Sequence, residues 1–373
     1  IKKMQILCEG LDLADAVLKV SKAIAAKTTN PVLEGIKLVA EDDTLTLFAT
    51  DLELSIEKKI RAQVKEEGSC VVPGKFFSEY VKKLTNDKIE LTLEQNNGLK
   101  IKYLDSEGYI QCFAENEYPD INLTEFKDYF GISKNNLREL INKVIFSVAI
   151  DDSRPILRGC LIEVTKDVVK AVTSDGYRLS LTRKALTYSN METSFIVPDK
   201  SLREISKLLD DSDEQVNVYV SSNFLMVDQG DIKIFTRLLE GEFLNYKQII
   251  MASNKDTVIT VNKAQLVDSL ERASLLSKIG QNNLVKFDIK EDTMLLTSNS
   301  EIGNIREKIN IVLEGKDLLI AFNARYFLEA FRVIDDEFVK INFQGPTNPC
   351  TITPVDGEKE EYLYLILPVR MIN

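Results

Sequence analysis

Histidine and tryptophan are absent from this chain. Without histidine, the commonest general base is missing, and so are the usual catalytic triads and the zinc-protease motif. Neither a GxxxxGK[ST] nor a GxGxxG phosphate-binding motif occurs. One SxxK string, Ser55 to Lys58, lies in an alternating stretch that predicts a strand and not the start of a nucleophile-bearing helix. The sequence therefore favours a non-enzyme, although an Asp/Lys site assembled by the fold would escape this search.

Cysteine is scarce and dispersed, and no CxxC pair occurs among Cys8, Cys70, Cys112, Cys160 and Cys350. An odd number of widely spaced cysteines indicates neither a disulfide framework nor a zinc site. We therefore predict buried, reduced thiols. No cofactor and no metal site are expected.

Long hydrophobic runs are also missing. No apolar stretch approaches the roughly 20 residues that a membrane-spanning helix needs. The N-terminal residues lack the pattern of a secretory signal peptide, so a cytoplasmic location without membrane partners is the expectation. With 373 residues, of which 44% are apolar, the chain can bury the cores of two or three domains.

An internal repeat with a period near 125 residues is the strongest pattern present. The segments VVPGKFFSEYVKKL, IVPDKSLREISKLL and IAFNARYFLEAFRVI align at Pro73, Pro198 and Asn323, each 125 residues apart. Each predicts a short strand followed by an amphipathic helix, because apolar residues recur three and four apart. A second landmark recurs every 124 residues, at Asp51, Asp175 and Asn299.

Three homologous α+β domains follow from this periodicity. Each has two helices and many short alternating strands, which predicts helices packed on antiparallel sheets. The first helices of the three repeats are predicted over Leu11 to Ile24, Leu137 to Val148 and Leu266 to Ser277. Turn-rich, charged stretches place the boundaries so that the domains span residues 1–128, 129–254 and 255–373.

Positive charge is concentrated in the six predicted repeat helices, at residues 11–27, 74–84, 134–144, 200–207, 263–278 and 324–332. These segments carry 17 basic and 8 acidic residues, whereas the rest of the chain carries 30 basic and 50 acidic residues. A protein that surrounds duplex DNA without reading its sequence needs a diffuse positive lining. The alternative is that helices simply favour lysine and arginine on solvated faces.

The candidate DNA-facing residues are the helix cations. They are Lys19, Lys22, Lys75, Lys82, Lys83, Arg138, Lys143, Lys200, Arg203, Lys207, Arg272, Lys278, Arg325 and Arg332. Because there is no tryptophan and no aromatic ladder, stacking on single-stranded DNA is not the indicated mode.

Four strings in the chain resemble the bacterial DNA polymerase III β sliding clamp family: VVPGKFF at 71–77, TSDGYRLSL at 173–181, EGEF at 240–243 and LILPVR at 365–370. The resemblance covers essentially the whole chain. It implies a triplicated clamp domain, and two head-to-tail protomers that form a homodimeric ring with helices facing double-stranded DNA. It also implies a non-enzymatic processivity factor of the replicative polymerase, which an ATP-using clamp loader opens.

The resemblance also assigns a dimer interface between domain 1 of one protomer and domain 3 of the other. By position, Tyr109 on one side and Leu275 and Leu276 on the other are the candidates. The alternative for each of these residues is an ordinary place in a domain core.

The second repeat departs from its siblings at one turn. It reads Asp175-Gly176-Tyr177-Arg178-Leu179, where the first repeat reads Asp51-Leu52-Glu53-Leu54. Glycine allows close backbone approach, and tyrosine and arginine are frequent interface anchors.

The resemblance places a hydrophobic cleft at this turn, between domains 2 and 3. The resemblance implies that this cleft receives linear motifs from the replicative polymerase, the clamp loader, translesion polymerases, mismatch-repair proteins and ligase. Its residues by position are Leu157, Ser174, Gly176, Tyr177, Arg178, Leu179, Leu244, Gln248, Ile249, Pro349, Leu365, Ile366, Leu367, Pro368, Val369 and Arg370.

Two positions differ from the family pattern, which often has proline at Leu244 and a basic residue at Gln248. We expect a looser loop and one charge fewer at the rim. For the C-terminal strand, ordinary sheet packing remains an alternative. Two rival functions also remain open: a peptide-binding scaffold that never meets DNA, and a hydrolase that uses carboxylates.

Overall fold

A computed structural model describes residues 3–119, 126–151, 153–251, 256–277, 284–356 and 361–371. The chain forms two compact units. The first contains Ile1–Asn135, Thr187–Met191 and Lys207–Leu238, and the second contains Asn136–Leu186, Glu192–Ser206 and Leu239–Asn373.

Among the residues of the first repeat that the structure describes, there are nine strands and two helices. The strands are β1 Met4–Glu9, β2 Gly35–Glu41, β3 Thr44–Thr50, β4 Leu54–Arg61, β5 Gln63–Glu66, β6 Gly68–Pro73, β7 Lys88–Leu93, β8 Gly98–Tyr103 and β9 Ser106–Gln111. The helices are α1 Gly10–Val20 and α2 Gly74–Val81. Helix α1 buries Leu13, Ala16, Val17 and Val20, the spacing of one helical face.

The second repeat forms nine strands and three helices among its described residues. The strands are β10 Asp128–Ser133, β11 Gly159–Val164, β12 Val168–Ser174, β13 Arg178–Ala185, β14 Tyr188–Ser189, β15 Thr193–Pro198, β16 Gln215–Val220, β17 Phe224–Asp228 and β18 Ile232–Arg237. The helices are α3 Lys134–Asn142, α4 Asp199–Leu208 and α5 Tyr246–Met251.

The third repeat forms nine strands and two helices among its described residues. The strands are β19 Thr257–Asn262, β20 Leu284–Lys290, β21 Thr293–Ser300, β22 Gly303–Asn310, β23 Val312–Gly315, β24 Leu318–Asn323, β25 Phe338–Phe343, β26 Cys350–Pro354 and β27 Tyr362–Ile366. The helices are α6 Lys263–Ser277 and α7 Ala324–Phe331.

The described residues of each unit form two antiparallel sheets. The sheets of the first unit have the strand orders β5-β1-β7-β8-β9 and β14-β10-β16-β17-β18-β4-β3-β2-β6. Those of the second unit have the orders β15-β11-β12-β13-β27-β26-β25-β19-β23 and β22-β21-β20-β24. The predicted α+β class with antiparallel sheets is confirmed.

Both nine-stranded sheets run across a border between repeats. In the first unit β18 of the second repeat pairs with β4 of the first, with Ile234 opposite Ile56. In the second unit β13 pairs with β27 of the third repeat, with Leu179 opposite Leu365. The compact units therefore follow the sheets and divide the second repeat, whereas the predicted boundaries at 128 and 254 follow the sequence period.

The six predicted repeat helices are present, with different ends. Helix α3 ends at Asn142 and is followed by a short 3-10 helix, Ile145–Ser147, where one helix to Val148 was predicted. Helix α5 was not predicted. Its sequence signal is an N-cap asparagine, because the Asn245 side-chain oxygen accepts from the Gln248 backbone N–H at 3.4 Å, and the Asn245 amide donates to the Gln248 side chain at 3.5 Å.

The core of the third repeat contains four packed phenylalanine rings, Phe287, Phe322, Phe327 and Phe343, whose contacting centroids lie 5.1 to 6.2 Å apart. All five cysteines are buried, which confirms the prediction of buried thiols. Ser55 and Lys58 lie in strand β4, as predicted. None of the helices in the described ranges is long and apolar enough to cross a membrane.

Candidate functional site

The turn between β12 and β13 is built by Asp175. Its carboxylate accepts the backbone N–H groups of Tyr177 at 2.9 Å and Arg178 at 3.1 Å, the pattern of an Asx turn. Ser174 adds a second link, because its hydroxyl donates to the Arg178 carbonyl at 2.7 Å. Gly176 has a φ of +90°, which glycine adopts without steric cost. The turn leaves the Tyr177 ring 63% exposed.

Arg178 is held beneath this turn and is only 6% exposed. Its guanidinium donates to the Asp175 carboxylate at 2.9 Å, to Glu329 of α7, and to the Phe146 carbonyl at 2.9 Å. It also lies 4.6 Å from the ring centroid of Tyr326, a cation–π geometry. Arg178 therefore positions the turn against α7, and each of its three guanidinium nitrogens donates to an acceptor within the chain.

The carboxylate of Glu329 is shared between two arginines. Burial opposes its ionisation, but the hydrogen bonds from Arg325 and Arg178 outweigh that effect and hold the pKa of Glu329 below its ordinary value. Arg325 donates at 2.6 Å. Burial raises the pKa of the neighbouring Tyr326 phenol. The base of the turn is thus a fixed ionic network.

An apolar surface continues from the turn across β13 and β27. Leu179 and Leu365 are paired across these strands and belong to one buried cluster, against which Leu244 also packs. Leu157 is buried and lies two residues before the start of β11. Ile249 on α5 is 43% exposed. An apolar floor with exposed aromatic and aliphatic residues has the character of a peptide-binding groove.

The segment after β27 lies along the same turn. The Leu367 backbone N–H donates to the Tyr177 carbonyl at 2.9 Å, and the Val369 N–H donates to the Ala321 carbonyl at 2.8 Å. Leu367 is 36% exposed, Pro368 and Val369 are half-buried, and Arg370 is exposed.

Ile366 and Pro349 are placed differently from the other candidates. Ile366 is 1% exposed and packs in the core of the third repeat. Because alternate residues of a strand face opposite sides of a sheet, its side chain contributes to that core while Leu365 faces the apolar surface. Pro349 is half-buried and directly precedes β26, which pairs with β27.

Leu244 and Gln248 flank the start of α5. Leu244 packs against the apolar cluster, so a large aliphatic side chain takes part in the floor here. Gln248 is exposed, and its side-chain oxygen accepts a hydrogen bond from the amide of Asn245, which caps the helix.

Sequence reasoning missed Phe146, Tyr326 and Glu329, which hold Arg178 in place. No motif marks them, since they lie far from the turn along the chain and reach it only through the fold. The only available signal was Arg178 itself, because a buried guanidinium requires a carboxylate partner.

The candidate cations of the helices differ in how firmly the protein holds them. Lys22, Lys75, Lys83 and Arg332 are exposed, and no carboxylate of the described residues lies within 4.0 Å of them. Arg138 is half-buried, Lys200 and Lys207 are exposed, and all three have intramolecular partners. Lys278 lies outside the described residues.

The remaining candidate cations form ion pairs. Lys19 pairs with Asp15 at 2.8 Å, Lys82 with Glu79, and Lys143 with Asp335 at 3.6 Å. Arg203 pairs with Asp199 at 3.4 Å, Arg272 with Glu307 at 2.7 Å, and Arg325 with Glu329 at 2.6 Å. Arg272 binds both carboxylate oxygens of Glu307, so it is more tightly held than a single contact would make it.

The three candidates for the dimer interface lie on the surface or close to it. Tyr109 in β9 is 49% exposed and Leu275 in α6 is 61% exposed. Leu276 is half-buried. Tyr109 and Leu275 therefore do not occupy core positions.

Three domain models of the DNA polymerase III beta subunit family match the chain. The N-terminal domain matches residues 4–123, the central domain residues 131–245, and the C-terminal domain residues 248–370. The beta sliding clamp of Bacillus subtilis is 33% identical over 371 residues, which cover 96% of this chain and 97% of the relative. That of Halalkalibacterium halodurans is 32% identical over 365 residues, covering 94% and 95%.

A solved structure agrees with these matches. The crystal structure of the DNA polymerase sliding clamp from Bacillus subtilis superimposes with a TM-score of 0.95 at 31% identity, covering 99% of this chain and 100% of that chain. The fold consists of three clamp domains of the sliding clamp type. The chain belongs to the DNA polymerase III beta subunit family, the bacterial sliding clamps, which are non-catalytic processivity factors. It is a DNA sliding clamp of the replication machinery and not a hydrolase.

Proposed function

We propose that two copies of this chain close head to tail into a ring around duplex DNA, which makes the replicative polymerase processive. The same ring recruits polymerases, the clamp loader and repair proteins in the cytoplasm through a peptide-binding cleft at the Tyr177 turn. The rival is a peptide-binding scaffold that never encircles DNA.

The observation that carries the proposal is a strand junction that occurs twice in the chain. In each case the strand after the Asp51 or Asp175 landmark pairs with the last sheet strand of a neighbouring repeat: β4 with β18, and β13 with β27. The corresponding strand of the third repeat is β22, and the corresponding last strand of the first repeat is β9. Within the described residues, both are edge strands with one neighbour only.

An edge strand presents unpaired backbone groups and invites pairing with another chain. A third junction, between β22 of one copy and β9 of the next, would repeat the internal design and cover both edges. Because each copy contributes one β22 and one β9, the contact is head to tail, which gives a ring if the rotation closes.

The internal junctions also predict the register of this contact. Leu54 is opposite Thr236, and the repeat spacing places Ile302 and Gln111 at the equivalent positions. Counting along antiparallel strands then sets Asn304 opposite Tyr109, and Arg306 opposite Glu107. The second pair has opposite charge, which favours this register over its neighbours.

Apolar side chains beside the two edges support the same contact. On α2, Phe76 is 58% exposed and stacks on Tyr80 with centroids 6.1 Å apart. On α6, Leu275 is 61% exposed. Exposed aromatic and aliphatic side chains next to an open sheet edge are typical of an interface core.

The helix cations would line the DNA. The exposed side chains of Lys22, Lys75, Lys83 and Arg332 have no carboxylate within 4.0 Å among the described residues, so they are available to phosphates. Such a lining does not need to recognise the base sequence of the DNA, because contacts to phosphates orient the protein on the duplex without distinguishing one base pair from another.

The decisive experiment measures retention on closed DNA. Clamp loaded onto nicked circular DNA should survive a high-salt wash and be released when the circle is cut once. An ordinary electrostatic binder loses affinity steeply with salt on either template. Equal loss from circular and linear DNA at high salt would contradict the ring and leave the peptide scaffold.

Solution mass and a charge swap test the interface. The dimer should have about twice the mass of the 42.2 kDa chain. Arg306→Glu should weaken the dimer, and the double variant Arg306→Glu with Glu107→Arg should restore it. Lys290→Glu, an exposed charge reversal on β20, is the control. A dimer unaffected by Arg306→Glu would contradict the register.

A further inference from the structure

A second depression lies between α5 and strands β12, β13, β26 and β27. It encloses about 350 Å³ and is lined by Leu181, Leu363, Ile250, Tyr246 and Met251 among others. Met251 is 85% exposed, so a long apolar side chain at the edge of this depression is accessible to solvent. None of the residues assigned to the proposed cleft lines this depression, which we call the rear pocket.

Helix α5 forms the wall between the cleft and the rear pocket, and it is fastened to the sheet. The Tyr246 hydroxyl donates to the Glu163 carboxylate, and the Lys247 ammonium lies 2.8 Å from the same carboxylate. Burial opposes ionisation of Glu163, but these two partners outweigh it and hold the pKa of Glu163 below its ordinary value. The wall is therefore a fixed part of the fold, and the pocket is preformed.

The rim of the rear pocket is cationic although the chain carries a net charge of −11. Lys170 and Arg183 stand directly opposite each other on β12 and β13. Like charges in that position destabilise a sheet. No carboxylate of the described residues, Glu361 included, lies within 4.0 Å of either side chain. Glu163 faces Lys170 from β11 and attracts it, but the direct contacts of its carboxylate are with Tyr246 and Lys247.

We infer that the rear pocket binds an acidic peptide segment that carries one large apolar anchor. The apolar floor takes the anchor side chain, and Lys170 and Arg183 take the flanking carboxylates, which relieves their mutual repulsion. The pocket volume suits one bulky side chain with part of its backbone. Because the rear pocket shares β13, β27 and α5 with the cleft, a partner chain that crosses α5 could occupy both.

The absence of tryptophan from the chain provides a clean measurement. The probe is the blocked peptide Ac-EDWED-NH2, whose indole emission should shift to the blue and saturate as clamp is added. Its basic counterpart Ac-KKWKK-NH2 should not bind. Arg183→Glu should weaken binding at least tenfold, and the milder Arg183→Gln should weaken it in the same direction. Lys290→Glu, an exposed charge reversal on β20, should leave affinity unchanged.

Methyl NMR then locates the site, because Met251 lies at the rear pocket and Met371 directly follows Arg370 of the proposed cleft. Saturable movement of the Met251 methyl signal supports the inference. Movement of Met371 alone, equal binding of the basic peptide, or unchanged affinity in folded Arg183→Gln would overturn it. These outcomes do not depend on whether the ring or the cleft performs as proposed.

Discussion

Leu52 and Gly176 occupy the same place in the turns of successive repeats, and both have left-handed backbone, with φ of +76° and +90°. The conformation costs an L-residue about 1–2 kcal/mol, whereas glycine adopts it freely. The first repeat therefore keeps a strained, 56% exposed leucine where the second has the residue suited to the turn.

Replacing Leu52 by glycine should stabilise the protein by about 1 kcal/mol, because relief of the left-handed strain exceeds the added entropy of the unfolded chain. Gly176→Ala should destabilise it by about 1–2 kcal/mol. A β-carbon at Gly176 would meet only Arg154 Nη1 at 3.5 Å, so that cost is conformational. Urea unfolding measures both, and a destabilised Leu52→Gly variant would show that the leucine makes a compensating contact.

Glu329→Gln should lower stability at pH 7 by about 1–3 kcal/mol, because buried Arg178 loses a charged acceptor. The pKa of Glu329 is lower in the folded protein than its ordinary value of 4.5. Its ionised form thus stabilises the fold above that value, and the contribution is lost as pH falls through the lower folded pKa.

The measurement is the thermal midpoint of the wild type and of Glu329→Gln between pH 7 and pH 3. The difference between the two proteins should shrink toward acid. A difference that stays constant over this range would assign the loss to packing and not to charge. Glu301→Gln, at an exposed acidic position, is the control.

Lys83→Glu should make the binding of linear duplex DNA at low salt weaker and less dependent on salt. Each phosphate contact contributes about 0.9 to the slope of log K against log salt, so loss of one contact should flatten the slope by about that amount. Lys290→Glu changes the net charge equally but lies on a strand, and it should leave the slope unchanged. An equal effect from both variants would indicate a response to net charge only.

Tyr177→Ala should weaken the binding of polymerase-derived motif peptides by about tenfold or more, as expected for an aromatic anchor. Stability should change little, since the ring is 63% exposed. Fluorescence polarisation with a labelled peptide is the measurement. Tyr188→Ala removes another exposed ring, on β14, and should bind normally; loss in both variants would deny Tyr177 a special role.

The repeat period predicted most of the helices and strands, because an element assigned in one repeat must recur at the same spacing in the other two. Segments such as those at Pro73 and Pro198 carry the same strand-to-helix pattern, so one misassigned element would have broken the spacing. The period could not predict which strands join between repeats. The pairings of β4 with β18 and of β13 with β27 depend on packing between segments distant in sequence, for which a single chain carries no periodic signal.

The sequence indicated which residues form the turn of the candidate site, but it did not indicate which of their side chains are exposed and which are buried. The second repeat differs from the first and third at Gly176, Tyr177 and Arg178, and in the structure these three residues lie at the turn between β12 and β13. Their exposure differs, however, because Tyr177 faces outward while Arg178 is buried against Glu329. Because side chains alternate along β27, Ile366 faces the opposite side of the sheet from Leu365. The strand assignment predicts this difference, whereas placing both residues in the cleft by position does not.

The pairing of β13 with β27 has a consequence for biosynthesis. Strand β13 leaves the ribosome long before β27 is translated, and until then its edge has no partner from the third repeat. The nascent second unit must wait with an open edge, which is a hazard for aggregation and a reason for slow folding. The Tyr177 turn, whose carbonyl accepts from the Leu367 backbone N–H, is likewise completed only when the last residues of the third repeat have been translated.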